Sequence, residues 1–272
     1  MTMNPIESLH TAARHYCIDR STTLRGMYRS VDSSKSERQS LDHKDAFLET
    51  MLTDTESFTP AEFGSLEEVQ NVLFQVGRDD SMAEEAPWKR FPKRISDEER
   101  GLYQEYLTRL TAQADWVGSV EPLPYRRTLG KQESKSLWDQ LEERWQVTGG
   151  YWYPEELIEA VPPQVAVFAA NAFEDEVPPE VLRDILAQRG IERVFTLFEF
   201  AGENEYEIDV SLLVASYGSS GELYCTSRAM DWLIYASHEN AITFAGEWLI
   251  EAVQAAWENW PCHIWRMSDL GQ

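Results

Sequence analysis

The stretch that most limits the fold is WLIYA, Trp232 to Ala236. Successive side chains of a strand point to opposite faces. Trp232, Ile234 and Ala236 therefore face one way, Leu233 and Tyr235 the other, and neither face is polar. Such a strand belongs in the centre of a sheet. The same half of the chain supplies partners for it. Residues 164–172 form an apolar, β-branched and aromatic run that reads as a buried strand, and further strands are predicted over 192–200, 205–215, 222–227, 230–236 and 241–244. The turn GSSG at 218–221 is expected to join two of them as a hairpin. Pro178 and Pro179 open a helix carrying Val181, Leu182, Ile185 and Leu186, which Gly190 stops. A last helix follows 244, with Trp248, Leu249, Ala252, Val253, Ala256 and Trp257 on its inner stripe and Glu247, Glu251 and Glu258 outward.

Before about residue 160 the apolar period is helical. Ser96 and Glu99 have capping-box spacing, and Leu102, Tyr103, Tyr106, Leu107 and Leu110 follow as one stripe. A second helix is predicted over 132–145, with Leu137, Trp138, Leu141 and Trp145 on one side. The first 30 residues and 41–76 also read as helical, with loops at 30–40 and 77–93. The expected class is α+β: a helical N-terminal region, 1–120, and an acidic α+β domain, 121–272, whose mostly antiparallel sheet is packed with helices.

Charge narrows the function. The 272 residues hold 24 bases against 47 acids, a net charge of −23. Residues 151–272 carry 21 acids, five arginines and no lysine, so that half alone has a net charge of −16. Such a field repels nucleic acid and anionic membrane and attracts basic partners. No run reaches the roughly 18 apolar residues that a membrane span needs. The start of the chain has no apolar signal core. Cys17, Cys225 and Cys262 are odd in number and far apart, which is neither a disulfide framework nor a zinc spacing and fits a reducing cytoplasm. Their acidic or apolar surroundings do not suit a thiol nucleophile. Phosphate-binding glycine loops, nucleophile elbows and paired-histidine zinc motifs are missing from the sequence, so no cofactor or metal is expected.

Within the acidic half, Glu203, Glu205, Glu207 and Asp209 alternate with Tyr206, Ile208 and Val210. In an extended chain the four carboxylates form a row about 7 Å apart on one face. They run parallel and do not converge as Ca²⁺ or Mg²⁺ ligands must. A row like this is either a solvated face or a docking surface for a cationic protein. Glu174, Asp175 and Glu176 add three acids in an expected turn, and a general surface normally mixes both signs; docking is the expectation. Tyr206, Tyr217 and Tyr224 are candidate aromatic anchors for the contact. His238 and Glu239, at a predicted strand end, are candidates for the same contact or for an acid–base pair of a hydrolase or transferase. A polar strand-to-strand turn closed by Asn240 is the plainer reading of the pair.

Two blocks carry a family resemblance. TSRAMDWLIYASHENAITFAGEWL (226–249), with RGIERVFTLFEF (189–200) ahead of it, resembles bacterial immunity-type proteins that neutralise secreted polymorphic toxins. YRRTLGKQESKSLWDQLEERW (125–145) and YWYP (151–154) fit the same pattern. The resemblance covers 125–249 and brings no catalytic residues with it. It implies a small acidic cytoplasmic α+β protein that binds and blocks a cognate toxin; joined to the charge argument, the expectation is a non-enzymatic binder of a cationic toxin domain. A regulatory adaptor is the remaining alternative.

Overall fold

The strand with two apolar faces lies inside a seven-stranded sheet, fifth in the strand order with a neighbour on each edge, and is buried along its whole length. The structure, a computed structural model, describes residues 3–30, 35–78, 91–148, 152, 165–199, 204–218 and 221–265. It divides into two compact units, Met1–Leu123 and Pro124–Gln272. The fold is α+β, with helices in the first unit and the sheet in the second.

In the first unit the described helices are α1 (Pro5–Ser30), α2 (Lys35–Glu56), α3 (Leu66–Leu73) and α4 (Lys93–Thr111). Helical spacing puts Leu9, Ala13 and Cys17 of α1 on one stripe. They pack with Phe47, Leu48 and Met51 of α2, Val69 and Leu73 of α3, and Tyr103 and Leu107 of α4. Ion pairs tie the helices where charge enters this core. Glu99 is wholly buried and accepts two hydrogen bonds from Arg20, both at 3.0 Å, with Lys44 at 3.2 Å. Arg14 pairs with buried Glu56 at 2.9 Å. The expected capping box at Ser96 is therefore corrected: α4 starts three residues earlier, after Pro92, and Glu99 is an interhelical ion-pair partner. The serine-rich segment at 30–40 is also helical from Lys35 onward.

In the second unit the strands are β1 (Arg126–Thr128), β2 (Val165–Ala169), β3 (Arg193–Phe198), β4 (Tyr206–Asp209), β5 (Leu223–Thr226), β6 (Leu233–Ser237) and β7 (Ala241–Ala245). Their order is β1-β4-β3-β5-β6-β7-β2, and every neighbouring pair is antiparallel. One face is covered by α5 (Lys131–Trp145), through Leu137, Leu141 and Trp145, together with Trp152. The other is covered by α6 (Ala170–Glu176), α7 (Pro179–Gln188) and α8 (Glu247–Ala256), through Phe173, Leu182, Leu186, Leu249 and Val253.

Three expectations change. The strand over 205–215 is four residues long, because Asp209 turns the chain into a 3₁₀ turn at Val210–Leu212. GSSG does not join neighbouring strands. Gly218 and Gly221 form a bridge, but β4 and β5 both pair with β3, which lies between them. Residues 174–176 end a helix and are not a turn.

Gly246 permits the entry into α8. Its φ is +102°, and a Cβ there would lie 2.8 Å from the Asp231 carbonyl oxygen and 3.1 Å from Trp232 Cβ. Gly246→Ala is expected to destabilise the second unit by about 2–4 kcal/mol, through backbone strain and that clash together. Urea unfolding of the pure variant checks this, and a loss below about 1 kcal/mol would contradict it.

Candidate functional site

The acids of β4 are drawn inward by chain that lies far away in sequence. Arg127 on β1 sits opposite Glu207 in the strand register. Its guanidinium lies 3.1 Å from Glu207 Oε2, and it donates to Glu133 on α5 at 2.7 and 2.8 Å. Tyr125 donates its hydroxyl to Glu207 at 3.0 Å, and only 12% of the Glu207 side chain is exposed. These contacts hold the Glu133 carboxyl below its usual range, chiefly through its hydrogen bonds to Arg127. Glu205 accepts from Trp138 Nε1 at 2.7 Å. Asp209 caps the 3₁₀ turn by accepting from the Ser211 amide at 2.9 Å. Glu203 lies outside the described residues. The docking row expected on this strand is thus corrected: its described members fasten β4 to β1, α5 and the following turn. On the other side of β4, Ile208 is buried, with Tyr206 and Val210 half-buried.

Tyr224 is corrected as well. It is wholly buried, stacks on Tyr235 with centroids 4.6 Å apart, and meets Trp138 edge-on. Glu174 and Asp175 are exposed at the end of α6. Glu176, also on the surface, accepts from Trp257 Nε1 at 2.9 Å and Asn259 at 3.2 Å, with His263 Nε2 at 3.0 Å. Those bonds hold its carboxyl below the usual range, that from Trp257 most of all.

His238 pairs with a different carboxylate from the one beside it. Its Nδ1 lies 2.5 Å from Oε1 of Glu222, a buried residue just before β5. Glu222 also accepts from Ser237 Oγ at 3.1 Å and from the Tyr235 hydroxyl. The register explains the meeting. Leu223 pairs with Ala236, so the residue before β5 and the end of β6 share one end of the sheet. With Glu222 as the acceptor of this contact, the His238 hydrogen that faces it is the one on Nδ1. Burial foremost, and then Glu222, push the Tyr235 hydroxyl pKa far above its ordinary value, so this hydroxyl stays a donor. The His238 side chain is 52% exposed, and the Tyr217 ring stands 6.2 Å from it. Glu239 is half-buried and spends its amide on Ser237 Oγ at 3.1 Å. Residues 238–240 form the β6–β7 turn, closed by Asn240 at φ +59°. Sequence reasoning missed Glu222. The signal available was a lone carboxylate entering the otherwise uncharged run LYCTS.

A cleft of about 600 Å³ opens at the opposite end of the sheet, beside α5, lined by Glu133, Ser136, Leu137, Phe195 and Arg228 among others. Phe195 pairs with Thr226 and Phe198 with Leu223, which separates this cleft from Glu222 by the length of β5. Among the described residues no three His, Cys, Asp or Glu side chains are grouped to hold a metal ion. Burial pushes the Cys17 and Cys225 thiols well above their ordinary range, and Cys262 is exposed. No described helix is long and apolar enough to cross a membrane. Compared with protein-family models, curated proteins and solved structures, the chain gives no significant match.

Proposed function

We propose that this protein is a non-enzymatic acidic binder that captures a cationic protein, of the immunity type that residues 125–249 resemble, in the cytoplasm. The observation that carries this reading is where the carboxylates stand. The layer formed by α6, α7 and α8 exposes Glu174 and Asp175, Glu180 and Asp184, and Glu247 and Glu251. The arginines beside this layer are half-buried Arg183, which lies 3.6 Å from Glu180, and exposed Arg189. Arg183 donates to the Leu213 carbonyl at 2.8 Å, and Arg189 lies 5.2 Å from the Trp248 ring centroid. Six exposed carboxylates against two arginines leave this side of the sheet net negative, and such a surface steers encounter with an oppositely charged one. The cationic partner meets this helical layer, not β4.

The test is association kinetics with the protein that co-purifies from the native host. Raising salt shortens the Debye length below about 8 Å, and the on-rate should fall far more than the off-rate rises. Reversing Asp184, Glu247 and Glu251 to Lys should slow association by about tenfold or more. The same charge change at Glu67, Glu142 and Glu143, exposed on α3 and α5, should matter much less. Equal effects would reduce the phenomenon to net charge, and salt-independent association would end the reading.

A hydrolase or transferase is the second reading, favoured by the Glu222-bound imidazole of His238. Turnover of a substrate by the native chain that His238→Gln abolishes, with the fold intact, would establish it in place of the first.

A further inference from the structure

We infer that Leu212, Val214 and Tyr217 form the apolar centre of the surface on which the cationic partner docks. This rests on the binding reading above and adds the anchor that charge alone does not supply. Among the described residues, four large apolar side chains of the second unit are exposed, and three of them fall within the six residues 212–217. Leu212 is 38% exposed, Val214 51% and Tyr217 46%, so the exposed apolar side chains of this unit are concentrated on one short stretch of chain.

The backbone holds the patch outward. Leu213 and Ala215 are buried in the core that α7 covers, while Leu212, at the end of the 3₁₀ turn, stands outward before them and Val214 between them. The Leu213 carbonyl is also the acceptor of Arg183 Nε, on α7. Turning Leu212 and Val214 inward would pull Leu213 and Ala215 out of the core and break the bond from Arg183 Nε to the Leu213 carbonyl. At the far end Tyr217 stands beside His238, whose ring Glu222 orients. The patch is therefore preorganised at both ends, which lowers the ordering cost of binding.

Its surroundings name the occupant. Glu180 and Asp184 are exposed on α7, the helix that holds this segment, and Glu239 follows His238 in the β6–β7 turn. An apolar centre with a carboxylate rim matches a protein surface whose apolar side chains are ringed by arginine or lysine. The rim repels nucleic acid and anionic lipid, and a second copy of this chain would bring the same charges against it.

The test titrates the full chain at low salt with two synthetic probes of equal charge, followed by amide NMR. One is a peptide alternating arginine with leucine or tryptophan, the other an oligolysine. The mixed peptide should bind at least about tenfold tighter, since apolar anchors add to charge. It should move the amide signals of 212–217 first. It should lose its advantage in the combined variant Leu212→Ser, Val214→Ser, Tyr217→Ser. All three side chains are exposed, so the variant should keep its thermal midpoint, and the shift map of the native chain needs no variant at all. Equal binding of both probes, with shifts on α7 and α8 only, overturns the anchor and leaves the charge reading standing. Failure of both probes to bind at low salt overturns the charge reading and the anchor with it.

Discussion

Glu222→Ala should destabilise the second unit by about 2–4 kcal/mol, because it removes the shared acceptor of three donors at one end of the sheet. The Tyr235 hydroxyl, Ser237 Oγ and His238 Nδ1 all converge on this carboxylate, and Glu222, Tyr235 and Ser237 are buried. An unsatisfied buried donor costs about 1–3 kcal/mol, whereas His238 can turn to water. For a unit of this size the loss corresponds to a fall in Tm of very roughly 10 °C. Glu222→Gln keeps the shape and one acceptor oxygen, and should cost less than half as much. The measurement is paired thermal and urea unfolding of the two variants. If Glu222→Ala proves as stable as the native chain, the cluster is not structural and the preorganisation of His238 beside Tyr217 goes with it.

Mild acid should weaken the helical unit through His10. Burial pushes its pKa from 6.5 down to about 4, with the nearby Arg14 charge acting in the same direction and the Thr55 carbonyl opposing. The ring nitrogen Nε2 lies 2.9 Å from that carbonyl, and Phe58 packs edge-on at 5.3 Å. Between pH 6.5 and 4 the unfolded chain binds a proton that the folded chain refuses, so stability rises with pH across this window and is lost as pH falls. A shift of this size corresponds to about 3 kcal/mol of folding free energy, present above pH 6.5 and gone near pH 4. Urea unfolding followed by the helical circular dichroism signal, at several pH values, gives the slope. Other groups titrate in the same range, so the comparison is with His10→Gln, which keeps a donor for Thr55. The native chain should lose the extra stability on acidification and the variant should not. Parallel pH profiles would remove His10 as the cause.

Local patterning carried a good part of this structure. The two-faced apolar run WLIYA needed a sheet neighbour on each edge, and β6 has β5 and β7. Helical stripes such as Leu137, Leu141 and Trp145 marked the buried side of α5. Such features are legible because they depend on residues within one or two turns of each other, where the backbone period alone decides what faces what.

Everything that turned on contacts between distant segments was invisible. Alternation placed Glu205 and Glu207 together on one face and could not show that Arg127 and Trp138, about 70 to 80 positions earlier, would take them up. The three-residue strand β1, which brings Arg127 there, is too short to carry a period. The GSSG turn looked like a hairpin because sequence neighbours usually pair. Insertion of β3 between β4 and β5 is a choice made by the whole sheet.

The division at the candidate site follows the same line. By itself the sequence determined that the second half is acidic, lysine-free and built on a central apolar sheet, because composition and period are local sums. Only the tertiary structure decided which acids are spent and which remain. It closed Glu207 into an arginine pair, gave Glu222 to His238, buried Tyr224, and left Leu212, Val214 and Tyr217 facing out beside α7. The reason is physical: a carboxylate or an aromatic ring has the same chemistry wherever it stands. Whether it meets water, a guanidinium or a core depends on strands that the chain brings together only on folding.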